Sequence, residues 1–142
     1  RLDLNGSDVM RKIMILAREA GHKIEMQDIS NNSFMPEECM QGTVEDFYES
    51  MKKHEAHFKQ LLDEAKAKKC ILKFVAQFDN GVASVGLQHI DPQHNSYHLY
   101  GKDNIVLFYT DRYKDQPLVI KRAGAGTEVT ASGVFADIMR AV

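Results

Sequence analysis

The sequence predicts an α+β fold in which a largely antiparallel sheet is covered by helices. Three features lead there. A helical segment opens the chain, strands gather after Cys70 around Asn80-Gly81, and a helical run closes it. Strands and helices grouped in separate runs argue α+β rather than alternating α/β. A chain of 142 residues suits one domain, so a single domain is expected over residues 1–142.

Asn5-Gly6-Ser7 reads as a turn with Ser7 as N-cap, opening a helix over about Asp8 to Ala20 that Gly21 stops. On a helical wheel Val9, Met10, Ile13, Met14, Leu16, Ala17 and Ala20 share one broad arc, while Asp8, Lys12, Ile15 and Glu19 lie opposite. Ile15 among those charges hints that this strip too is covered. His22 to Ile29 alternates and predicts a strand. Residues 30–42 predict a loop, and Thr43 caps a helical region that reaches about Lys68 with a break near His54. Its apolar stripe runs from Val44 and Phe47 through Phe58 to Ala65.

Ile71 to Phe78 and Val82 to Ile90 flank Asn80-Gly81, a dipeptide that favours tight hairpins because both residues tolerate positive φ. Strands are expected at Ile105 to Thr110 and at Leu118 to Lys121. A final helix is expected to begin at about 127–129.

A net charge of -2 gives no electrostatic case for nucleic acid or an anionic membrane. No apolar run approaches the roughly 20 residues that span a bilayer. The two cysteines, Cys39 and Cys70, lack metal-binding spacing and suit a reducing cytoplasm. The six histidines form no metal pattern, so no metal is expected. An opening Arg1 and a helical run to the last residue look like cut points in a longer chain.

Two segments carry chemistry. Asp8 and Lys12 are four apart, which puts carboxylate and ammonium on one helix face. An ordinary surface ion pair satisfies the same spacing. Lys12 lies close to the helix N-terminus, where the macrodipole disfavours a cation, and that position invites a functional reading. The second segment is Gly124-Ala125-Gly126 ahead of the closing helix. Glycines there let backbone N–H groups approach a phosphate or ring, although a simple turn has the same composition. Val129 breaks the dinucleotide fingerprint.

The run Arg1-Leu2-Asp3-Leu4-Asn5-Gly6-Ser7-Asp8-Val9-Met10-Arg11-Lys12 resembles the homoserine dehydrogenase signature DPRxDLxGxDVARK. Gly124-Ala125-Gly126 with Val129-Thr130-Ala131 and Gly133 resembles that family's closing motif, GAG..VTA.GV. Cys70 to Val75, the hairpin, and Gly101-Lys102-Asp103-Asn104 fall between them in family order. Met10 departs from the usual alanine, on the buried side, and implies repacking rather than lost chemistry. Similarity through Met35-Pro36 and Phe108-Tyr109 to Pro117-Leu118-Val119 points to the bifunctional form fused to an aspartokinase.

The resemblance implies the catalytic, substrate-binding segment of an NAD- or NADP-dependent oxidoreductase. That enzyme interconverts L-aspartate 4-semialdehyde and L-homoserine, in threonine and methionine biosynthesis. It implies Lys12 as general acid/base, Asp8 and Asp3 as substrate-binding carboxylates, and Gly126 and Gly124 as cofactor-binding positions. The Rossmann domain, which would hold most of the cofactor, is implied upstream of Arg1, with the helix from about 127 packed near it. A homodimer built on this domain's sheet is implied as well. The competing reading is a non-catalytic small-ligand or dimerisation module that keeps the fold.

Overall fold

The structure is a computed structural model that describes residues 4–124 and 126–141. The chain divides into two compact units, Arg1–Asp91 and Pro92–Val142. The fold is α+β with antiparallel-dominated sheets, as the grouping of strands and helices predicts.

In the first unit, α1 (Ser7–Glu19) is followed by a 3-10 turn at Met26–Asp28 and a short strand, β1 (Ile29–Asn32). Helices α2 (Val44–Lys53) and α3 (Glu55–Ala67) come next, then strands β2 (Ile71–Asp79) and β3 (Val82–Ile90). The strand order is β1-β3-β2. β2 and β3 are antiparallel, joined by a turn in which Asn80 and Gly81 have φ of 47° and 83°. That double positive φ is what the Asn-Gly pair supplies. β1 instead runs parallel to β3, with Asn31 beside Val85 and Asn32 beside Gly86. At Gly86 the strands approach so closely that a Cβ would lie 3.1 Å from the Asn32 carbonyl oxygen.

The sheet lies under α1. Ala17, Ile24, Ile29, Ala83 and Val85 are buried together, and Val9, Met10, Ile13 and Met14 pack on them with Phe74, Ala76 and Phe78 of β2. Each fully buried Val or Ile contributes about 1.5–3 kcal/mol, so this cluster fixes the face that α1 turns inward. Met10 sits on that inward face, as expected. Ile15 does not find cover within the unit and is 55% exposed.

Two local expectations are corrected. The stretch from His22 is not a strand until Ile29. Glu25 and Asp28 form a reciprocal capping box, with the Asp28 carboxylate accepting from the Glu25 N–H at 2.8 Å, and this closes a 3-10 turn. Alternating Ile24 and Met26 therefore mimic a strand period that the backbone does not adopt. Ser7 is not the N-cap either. Gly6 occupies that position at φ 80°, and the Asn5 Oδ1 accepts from the Ser7 N–H at 2.9 Å.

The predicted break at His54 is present, separating α2 from α3. Thr43 caps α2 as expected, accepting from the Asp46 N–H while the Asp46 carboxylate accepts from the Thr43 N–H. His54 Nε2 lies 3.2 Å from Glu38 Oε2, and His57 Nε2 lies 2.9 Å from the Phe34 carbonyl oxygen. Both histidines thus tie the segment before α2 to the helix junction.

The second unit holds β4 (Asp103–Phe108) and β5 (Leu118–Ala123), an antiparallel pair, followed by α4 (Thr127–Ala141). Lys121 bridges Asp103 at 3.1 Å and donates to the His98 carbonyl at 3.1 Å, which pins the hairpin to the loop before it. Leu118, Val119 and Ile120 of β5 and Val134, Phe135, Ile138 and Met139 of α4 are exposed. No helix among the described residues is long and apolar enough to cross a membrane.

Candidate active site

Asp8 and Lys12 stand on the outer face of α1, opposite the buried Ala17 face. Their carboxylate and ammonium meet at 2.8 Å, and the side chains are 57% (Lys12) and 62% (Asp8) exposed. The helix starts where it does because Gly6 adopts a left-handed conformation and its carbonyl accepts from the Met10 N–H at 2.9 Å. Asp8 falls in the first turn, where a carboxylate suits the positive end of the macrodipole. An exposed pair of this kind contributes about 0.2–1 kcal/mol to folding. Its stabilising role is small, and both groups are free to exchange each other for a charged ligand.

Two concavities lie elsewhere: one of about 410 Å³ beside Asn5, Asn31, Ser33 and Glu37, and one of about 470 Å³ along α3. Neither is lined by Asp8 or Lys12. Asp3, the other expected substrate carboxylate, lies outside the described residues. Among the described residues no group of three or more His, Cys, Asp or Glu is placed to hold a metal. Cys39 is buried and Cys70 half-buried, both as free thiols.

In the second unit the two expected cofactor glycines differ. Gly124 extends the β-ladder, its N–H donating to the Lys102 carbonyl at 2.9 Å. Its Cα is covered by the Asn104 side chain, whose amide occupies the place a Cβ would take. Gly126 has φ 145°, and nothing lies within 4 Å of where its Cβ would be. Its carbonyl accepts from both the N–H and the hydroxyl of Thr130, which fixes the start of α4. An open Cα face beside a fixed helix start fits close approach by a flat ring.

Sequence reasoning singled out Asp8, Lys12, Gly124 and Gly126 but not Asn31 or Asn104, which pack on Gly6 and Gly124 respectively. Asn31 falls in a stretch that reads as loop, and no spacing links it to Asn5. Asn104 lies in β4, and nothing local in the Gly101-Lys102-Asp103-Asn104 run points to its cover over Gly124.

With this geometry in place, comparison defines the class: the sequence profile of the homoserine dehydrogenases matches residues 1–139, and the chain belongs to that family. It is similar to bifunctional aspartokinase/homoserine dehydrogenase 2 of Escherichia coli, 40% identical over 141 residues that cover 99% of this chain and 17% of that protein. It is 38% identical to homoserine dehydrogenase of Paracoccidioides brasiliensis, covering 99% of this chain and 39% of the relative. A crystal structure of a Candida auris protein of unknown function superposes with a TM-score of 0.90 at 39% identity, over 99% of this chain and 40% of that one. The chain therefore spans well under half the length of these relatives.

Proposed function

We propose that this chain is the substrate-binding and catalytic segment of an oxidoreductase that interconverts L-aspartate 4-semialdehyde and L-homoserine. The observation that carries the reading is the Asp8–Lys12 pair. Carboxylate and ammonium stand together and half-exposed on the first turns of α1, directly after the family's Leu4-Asn5-Gly6 turn. Lys12 donates a proton to the aldehyde oxygen during reduction and takes it back from the hydroxyl during oxidation. Asp8, with Asp3, holds the substrate's ammonium through charge-assisted hydrogen bonds. NADH or NADPH, when bound, supplies the hydride to the aldehyde carbon.

Gly126 is assigned the cofactor contact through its open face, with Gly124 held beside it against Asn104. The remaining wall and most of the cofactor site belong, in this reading, to a Rossmann domain outside this chain. The exposure of Lys12 and the small share of each relative that the chain spans support that view. The open face of Gly126 is no more than a contact, so the isolated chain is expected to be inactive. Fusion to an aspartokinase fits the bifunctional name of the Escherichia coli relative, and the segment's proposed place is the cytoplasm.

Asp8→Asn in the full-length protein tests the substrate role. The KM for homoserine is expected to rise by about 10- to 100-fold, the worth of one charge-assisted bond. A KM within about twofold of the parent would remove Asp8 from the site.

A homodimer is proposed as well, with Leu118, Val119 and Ile120 of β5 as the apolar surface it would cover. Sedimentation of the chain at micromolar concentration reads this directly: a dimer is expected, and a clean monomer speaks against it.

A second reading has one observation in its favour. Asp8 and Lys12 satisfy each other in the manner of an ordinary surface pair. A non-catalytic small-ligand or dimerisation module that keeps the fold would look the same, and it predicts that turnover does not depend on Lys12.

A further inference from the structure

We infer that Asn31 is a positioning residue for the Asp8–Lys12 site, acting through the turn that launches α1. The inference rests on the catalytic reading of that pair. Asn31 lies on β1, an edge strand, and its Nδ2 donates to the Asn5 carbonyl at 2.8 Å across 26 residues of sequence. The same amide presses on Gly6: a Cβ there would lie 3.2 Å from Asn31 Oδ1 and 3.4 Å from its Nδ2. The same Cβ would also lie 3.2 Å from the Phe74 ring of β2. Asn5 is engaged at both ends, since its side chain accepts from the Ser7 N–H while its carbonyl accepts from Asn31.

The consequence follows from helix geometry. The Gly6 carbonyl accepts the first hydrogen bond of α1, from the Met10 N–H. Asp8 and Lys12 follow within two turns, at about 1.5 Å of rise per residue. Both side chains are more than half exposed among the described residues, so the direction in which α1 leaves Gly6 contributes to their position. The core cluster holds the inner face of α1 along its length, through Val9, Met10, Ile13, Met14 and Ala17. Asn31 adds a hold on the turn just before it. A displacement of about 1 Å at reacting groups costs about a hundredfold in rate, so a looser turn is expected to reach the chemistry.

Asn31→Asp in the full-length protein tests this. The side chain keeps its shape against Gly6 but turns a carboxylate oxygen, an acceptor, toward the Asn5 carbonyl. The expected result is a kcat for homoserine lowered about tenfold, with cofactor KM unchanged and the thermal midpoint lowered no further than the loss of one hydrogen bond explains. Amide exchange should also quicken at Met10. Asn31→Ala removes the bond without adding charge, and should show the same split should the aspartate variant fold poorly. A kcat within about twofold of the parent in Asn31→Ala, with Met10 protection intact, overturns the inference. Lys12→Met measured in parallel separates the two levels. If Lys12→Met keeps turnover, the catalytic reading fails. If Lys12→Met is inactive while the Asn31 variants match the parent, only the positioning role fails.

Discussion

Lys12→Met in the full-length protein is expected to lower homoserine oxidation by roughly 100- to 10,000-fold, the usual worth of a positioned acid–base group. Cofactor affinity should barely change, because Lys12 is assigned to the substrate hydroxyl and not to the nucleotide. Folding should change little too, since the Asp8–Lys12 pair is exposed and weak. Lys12→Arg should be nearly as damaging. A guanidinium keeps its proton throughout the working range and cannot take one from the alcohol. Steady-state kinetics with homoserine and the oxidised cofactor read both variants, and a tenfold or smaller loss in Lys12→Met would favour the non-catalytic module.

Gly6→Ala is expected to destabilise the first unit by about 1–3 kcal/mol. Two costs combine. The residue sits at φ 80°, in the left-handed region that side chains disfavour, and its new Cβ would press on Asn31 and Phe74 at 3.2 Å. Thermal unfolding of the chain checks the stability, and an unchanged midpoint would mean the turn can relax without cost. Because the same turn launches α1, the variant should lose homoserine turnover beyond what its unfolded fraction explains.

Much of this architecture was legible where local chemistry decides it. Asn80-Gly81 announced the β2–β3 hairpin because its positive φ values are a property of those two residues. Gly21 marked the end of α1, and Thr43 the start of α2, for equally local reasons. What stayed hidden depends either on which of two local signals wins or on partners far along the chain. Ile24 and Met26 have a strand's spacing, yet the Glu25–Asp28 box wins over it. The parallel pairing of β1 with β3 joins residues 29–32 to 83–86, and no short-range signal encodes it. Asn31 is illegible for the same reason, since its role appears only once β1 lies beside the Asn5-Gly6 turn.

The site was legible in a different way. Helical spacing alone put Asp8 and Lys12 together, and the structure has them paired at 2.8 Å. Spacing could not say whether the pair is structural or catalytic, and the exposed geometry fits both. Family membership and motif order favour catalysis.

The most direct test is a crystal structure of the full-length protein with homoserine bound. The account places the substrate hydroxyl about 2.6–3.2 Å from Lys12 Nζ, the reach of a proton transfer, with the amino group against the Asp8 carboxylate. Homoserine held elsewhere, with Lys12 still closed on Asp8, would contradict it.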